Sequence, residues 1–221
     1  MGKVGSHSIG NSLEKQYNGF VCKGHVFSKY FGELGQRKLF DNYYRKGKKK
    51  IKIISLVREP IGRNVSAFFQ NFEVERGEAP DKDIYTIDNL RSIFLSEYRH
   101  YEPLSWFHFI LHHFNIDVFK REFPSQGYCL YQNNEGVELL VLRSDLEDKY
   151  KEEHIGNFLD LSNFKIERFN IGRNKSYGEV YREFVEKVKL PEWYLEMMKE
   201  SIFFNHFFSK TEIEEICSHW R

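Results

Sequence analysis

The stretch Ile51 to Phe72, IKIISLVREPIGRNVSAFFQNF, constrains the fold most, because an almost unbroken apolar run passes straight into a helical pattern through a charged turn. Lys52 to Val57 carries Ile53, Ile54, Leu56 and Val57 with one small polar residue, the pattern of a parallel strand covered on both faces. Arg58 ends that run. Pro60 suits the first turn of a helix, where its missing N–H costs nothing, and Glu59 puts negative charge near the positive helix end. Within this helix Arg63, Ser66 and Gln70 share one face, while Val65, Ala67, Phe68 and Phe72 can pack inward. Arg58 at a strand's carboxyl end and Ser66 two turns into the next helix stand where open α/β sheets bind ligands, and a phosphate fits a guanidinium and a hydroxyl. The alternative is that Arg58 pairs with a local carboxylate and Ser66 faces water.

A chain of 221 residues has room for one substantial core, so a single α/β domain over 1–221 is expected. Lys and Arg number 33 against 32 Asp and Glu, a balance that argues against a nucleic-acid partner and confines any basic site to a local patch. Cys22, Cys129 and Cys217 are widely spaced and odd in number, which suggests neither a disulfide framework nor a metal cluster and favours a reducing compartment. No apolar run approaches the ~18 residues of a membrane span. A cytoplasmic protein is expected, with peripheral contact at the inner membrane left open.

The second informative stretch is Met1 to Leu13, MGKVGSHSIGNSL. A Gly-Lys-x-Gly-Ser-x-Ser turn that opens a helix aims backbone N–H groups at one spot and adds the helix dipole, hydroxyls and an ammonium, so Lys3, Gly5, Ser6, His7 and Ser8 form a candidate anion cradle. It is not a Walker A loop, in which the lysine follows the second glycine. The competing reading is an amino terminus without a role.

Gly19 to Val26 is a short strand candidate that ends near His25, where an imidazole could take a proton from a hydroxyl or simply pack. Tyr30 to Tyr44 reads as a helix, and Arg45 to Lys50 as a solvated connection with an acidic glycan or lipid headgroup as the lesser reading. Glu73 to Asp88 reads as a long loop, and Asn89 to His100 and Leu104 to Phe114 as helices. His108, His112 and His113 include a pair at metal spacing but lack the glutamate of His-Glu-x-x-His and a third ligand, so packing or substrate contact is preferred and no metal is expected. Gly127 to Gln132 and Val137 to Leu142 flank an Asn-Asn-Glu-Gly turn, a hairpin signal. Ser144 or Asp145 then caps a helix to about Leu159, and Tyr177 to Arg221 is helical with a break at Pro191.

Together, Lys3 to Ser8 and Arg58-Glu59-Pro60-Ile61-Gly62-Arg63-Asn64-Val65-Ser66 resemble the two cofactor loops of sulfotransferases that use 3′-phosphoadenosine 5′-phosphosulfate (PAPS). The second matches an Arg-(Asp/Glu)-Pro-x-x-Arg-x-x-Ser pattern at each position. The carboxyl half resembles the bacterial sulfotransferase-like capsular polysaccharide synthesis group named for an Asn-Lys-Trp-Tyr-Ser motif, of which Asn174-Lys175-Ser176-Tyr177-Gly178 keeps three of five residues. The resemblance implies a single P-loop-like α/β domain with a central, mainly parallel sheet flanked by helices and a helical carboxyl-terminal region. It implies a strand immediately before the first loop, so the native frame is expected to begin upstream of Met1. It also implies sulfuryl transfer from PAPS to a hydroxyl of a carbohydrate acceptor, a polysaccharide or its precursor. Lys3 and the Gly5–Ser8 loop would serve the 5′-phosphosulfate, Arg58 and Ser66 the 3′-phosphate, and His25 would be the base. Arg173 and Lys175 would close over the 3′-phosphate or be exposed. The alternatives are a non-catalytic nucleotide- or glycan-binding relative and another nucleotide-dependent transferase such as a kinase.

Overall fold

The computed structural model describes residues 5–21, 23, 50–167 and 177–221. In chain order these form α1 (Ser6–Gln16), β1 (Ile51–Val57), α2 (Pro60–Arg76), α3 (Ile87–Glu97), α4 (Trp106–Phe114), β2 (Tyr128–Gln132), β3 (Val137–Arg143), α5 (Asp148–Leu159), α6 (Gly178–Lys187), α7 (Glu192–Lys199), α8 (Ile202–Phe207) and α9 (Lys210–Trp220). Short 3-10 turns lie at Glu102–Ser105 and Val118–Lys120. The elements gather into two compact units, one of Met1–Arg58 with Ser105–Phe169 and one of Glu59–Leu104 with Asn170–Arg221. No helix among the described residues is long and apolar enough to cross a membrane.

The first unit is built on a three-stranded sheet of order β1-β3-β2. β3 runs parallel to β1, with Ile51 opposite Val137 and Val57 opposite Arg143, and antiparallel to β2, with Tyr128 opposite Leu142. Its central place explains the buried run Leu139 to Leu142, whereas edge strand β2 alternates buried Cys129 and Tyr131 with exposed Leu130 and Gln132. The hairpin turn is fixed by Asn133, whose Oδ1 accepts from the amides of Glu135 (2.9 Å) and Val137 (2.8 Å), and by Gly136 at φ +82°.

This arrangement corrects the expectation of a central, mainly parallel sheet in a P-loop-like fold. The described residues hold a small mixed sheet with one parallel pair, and helix predominates. The hairpin is the physical reason. The Asn-Asn-Glu-Gly hairpin, read from the sequence, sets β2 antiparallel to β3, which leaves β1–β3 as the one parallel pair among the described residues, too few for a mainly parallel sheet. The strand candidate at Gly19 to Val26 adds nothing in its described part, where residues 19–21 and 23 are irregular. The helix read over Tyr30 to Tyr44 lies outside the described residues.

β1 is buried at its carboxyl end, Ser55–Val57, and half-buried before it, with contacts on both faces. A Cβ on Gly5 would sit 3.8 Å from Leu56 Cδ1, so α1 starts over one face. On the other face the indole Nε1 of Trp106 donates to Ser55 Oγ at 2.9 Å, which brings in α4. The α5 end joins the Leu56 face, where Lys52 bonds the Phe158 carbonyl and its ammonium lies 5.2 Å from the Phe158 ring. This helix starts at Asp148 and not at Ser144 or Asp145, because the Ser144 amide donates to Val57 O (2.7 Å) and Asp145 pairs with Arg143.

The second unit is packed through aromatic rings. Phe68, Phe69 and Phe72 on α2 meet one another, Phe94 of α3 and Phe184 of α6 mostly edge-on, with centroids 5.1–6.5 Å apart. α2 starts at Pro60, with Glu59 accepting from the Gly62 amide at 2.9 Å. It runs to Arg76, a turn beyond the apolar pattern, and stops at Gly77 with φ +79°. Capping boxes at Thr86/Asn89 and Ser209/Glu212 open α3 and α9, and Pro191 marks the break before α7.

Candidate functional site

Within the first unit the chain places the candidate cradle at the carboxyl end of β1. Gly5 adopts φ +87°, a left-handed value that a side chain would strain, and α1 follows with neither an acidic residue in its first turn nor a side-chain cap. The first amides and the positive helix end, between Gly5 and half-buried Ser6 and Ser8, therefore suit an anion. Arg58 follows β1 two residues after Leu56, the residue beneath Gly5, and is half-buried. Gly5, Ser6, His7 and Ser8 are thus brought to the strand end that delivers Arg58.

What holds α1 there was not legible in its motif. Ser12 is fully buried, donates to Ser8 O at 2.8 Å and accepts from the Glu167 amide at 2.8 Å. Gln16 exchanges two hydrogen bonds with the Lys165 backbone, at 2.7 and 2.9 Å. Ile9 and Leu13 supply the apolar part of this docking.

The end of β3 adds further charge. Arg143 clasps Asp145 through Nε (3.0 Å) and Nη2 (2.5 Å). Burial pushes the Asp145 carboxyl up, but the Arg143 hydrogen bonds and charge outweigh it and leave the group below its ordinary value. Buried Lys151 donates to Ser144 O at 3.1 Å and pairs with Asp148 at 3.0 Å.

Ser66 belongs to the second unit, where it is half-buried and its hydroxyl makes no hydrogen bond among the described residues. Beside it on the same helix face, Arg63 Nη1 donates to Tyr98 Oη at 2.8 Å and to Asn64 Oδ1 at 3.1 Å. Asn64, fully buried, donates through Nδ2 to His100 O at 3.2 Å, with Tyr194 Oη at 3.5 Å. The His100 Nε2 bonds the Phe94 carbonyl at 2.9 Å, while its Nδ1 is buried without a partner. Burial holds the His100 imidazole below its ordinary proton affinity against the pull of the Phe94 and Leu95 backbone, and burial drives the Tyr194 phenol up so that it stays protonated.

The three histidines of α4 take part in ring packing. His108 lies 5.9 Å from Phe119, and His113 lies 4.1 Å from Phe109 and 4.9 Å from His112. Burial, and then the His112 charge, lower the His113 proton affinity. Trp106 and Phe109 stack nearly parallel at 5.8 Å and are half-buried. Among the described residues no group of three or more His, Cys, Asp or Glu is gathered to hold a metal ion. Lys3, His25, Arg173 and Lys175 lie outside the described residues.

The network of Asn64, Tyr98, His100 and Tyr194 was missed by sequence reasoning. One signal could have found it. Asn64 lies three residues after Ile61 and four before Phe68, so it is a polar side chain on the apolar face of α2 and needs a partner.

Comparison with known proteins places a family match over residues 81–209, more than half of the chain; the family is NKWYS, described as "Putative capsular polysaccharide synthesis protein". The matched stretch contains Tyr98, His100 and Tyr194 and begins after both candidate anion loops. Neither the curated proteins nor the solved structures return a match.

Proposed function

We propose that this chain, which belongs to the NKWYS family, catalyses in-line transfer of a sulfuryl group from PAPS to a hydroxyl of a carbohydrate acceptor in capsular polysaccharide synthesis. The observation that carries this reading is the left-handed helix start at Gly5, set over the carboxyl end of the strand that delivers Arg58. The Ser66 hydroxyl on the following helix, which makes no hydrogen bond among the described residues, supports it.

Charge spreads over the moving group in such a transfer, so positioning and electrostatics dominate. The amides of Ser6 and His7 with the Ser6 and Ser8 hydroxyls hold the 5′ end. Lys3 neutralises the bridging oxygen, which keeps the electron pair of its breaking bond to sulfur. The acceptor oxygen forms the new bond to sulfur, and its proton passes to His25. Arg58 and Ser66 read the 3′-phosphate, and Arg173 and Lys175 are the further cations assigned to it. Cationic side chains take the part that a metal plays in phosphoryl transfer.

Incubation with PAPS labelled with sulfur-35 and, as acceptors, desulfated chondroitin or dextran tests the reading. Label moves to a glycan, and Lys3→Ala slows that movement by about 100-fold, the size of a lost transition-state contact. Absence of transfer to both glycans, or undiminished transfer by folded Lys3→Ala, contradicts it.

A further inference from the structure

We propose that Arg63 and Asn64 are positioning residues for the 3′-phosphate site: they contact no ligand themselves and fix the roll of α2 that aims Ser66. The inference rests on the sulfuryl-transfer reading. By charge and place in its motif Arg63 invites assignment as a phosphate ligand. Its guanidinium is instead engaged by Tyr98 Oη at 2.8 Å and Asn64 Oδ1 at 3.1 Å.

The Asn64 amide can sit only one way round. Its Oδ1 meets a guanidinium that can only donate, and its Nδ2 meets the His100 carbonyl, which can only accept. Turning the amide over breaks both bonds. His100 is in turn clamped, its Nε2 on the Phe94 carbonyl and its ring edge-on to Phe94 at 4.7 Å and Tyr194 at 4.8 Å. The motif helix is thereby tied to the segment after α3 and to α7.

Apolar packing of Phe68, Phe69 and Phe72 holds α2 in place but sets its rotation weakly, because burial is non-directional. Hydrogen bonds at 2.8–3.2 Å set the rotation narrowly. Ser66 stands three residues after Arg63 on the same face, so an error in roll moves its hydroxyl directly, and small misplacements in a binding site are expensive. Arg63 and Asn64 lie in the anion motif, whereas Tyr98, His100 and Tyr194 lie in the stretch that matches the family. The network is the mechanical link between the two.

Calorimetric titration with 3′-phosphoadenosine 5′-phosphate and with 5′-AMP separates the outcomes when run on the wild type, Tyr98→Phe, Arg63→Gln and the double variant. Tyr98→Phe removes one hydroxyl and keeps the ring, so it folds; it is expected to lower the ratio of bisphosphate to AMP affinity about tenfold, the worth of one charge-assisted hydrogen bond. Arg63→Gln lowers the ratio by a similar factor, and the double variant by no more than the larger single effect. AMP affinity itself stays level. If Arg63→Gln lowers the ratio and Tyr98→Phe does not, Arg63 is a ligand and the proposal falls. If both variants lose thermal stability and keep the wild-type ratio, the network is only structural and the proposal also falls. A wild type without preference for the bisphosphate overturns the sulfuryl-transfer reading and the positioning role together.

Discussion

Replacing Asn64 by Ala tests how much the buried polar network contributes to the second unit. The side chain is fully buried and holds two bonds, its Nδ2 donating to the His100 carbonyl at 3.2 Å and its Oδ1 accepting from Arg63 at 3.1 Å; the buried His100 carbonyl sets the larger cost of losing them. The contact to Tyr194 Oη, at 3.5 Å, is at the limit of a hydrogen bond and contributes little. Removing a donor from a buried carbonyl costs about 1–3 kcal/mol. The void left by the amide adds about 1 kcal/mol, at the low end for large-to-small core changes. The sum is a loss of about 2–4 kcal/mol, read in urea unfolding as a lower midpoint at constant slope. Asn64→Leu keeps the volume and loses the polar partners, so a similar loss assigns the effect to hydrogen bonding. A loss under about 0.5 kcal/mol in both variants, the size of a surface substitution, would show that the buried amide does not support the fold.

The His100 ring gives a pH signature. Its proton affinity is lowered in the folded state, so the unfolded chain binds the additional proton first as pH falls. Stability is therefore full above the ordinary imidazole value of about 6.5 and declines as pH drops below it toward the folded value; His100→Phe should remove that slope, and an unchanged slope in the variant contradicts the assignment. Gly156→Ala destabilises the first unit by about 1 kcal/mol or more, since its Cβ would stand 3.0 Å from the Leu161 carbonyl and this crowding outweighs the helix-propensity gain. A thermal midpoint equal to or above wild type would show that the backbone yields freely.

The junction of β1 and α2 was legible because three local signals agree there: a continuous apolar run, the negative charge of Glu59 at the helix start and Pro60 in the first turn. The hairpin was legible for the same reason, since Asn133 and Gly136 carry their turn chemistry with them. The architecture was not. Whether β3 has one parallel neighbour or several is decided by pairings between distant segments, and Ile51 to Val57 would read alike in a large parallel sheet and in this small mixed one. The candidate site divides along the same line. Gly5 and Arg58 were visible as chemistry in their own loops, and Gly5 does reach the end of β1. Arg63 is bonded to Tyr98 and Asn64 to His100, 35 and 36 positions away. Such contacts leave no periodic trace.

Under the proposed sulfuryl transfer, the chain distinguishes a 3′-phosphorylated adenine nucleotide from its unphosphorylated counterpart. Calorimetric titration of the full chain with 3′-phosphoadenosine 5′-phosphate against 5′-AMP measures this directly. The bisphosphate is expected to bind at least about tenfold more tightly, as a charged hydrogen-bonded phosphate should, and Arg58→Ala to abolish the difference. Equal affinity for the two nucleotides, or a difference that survives in Arg58→Ala, would contradict it.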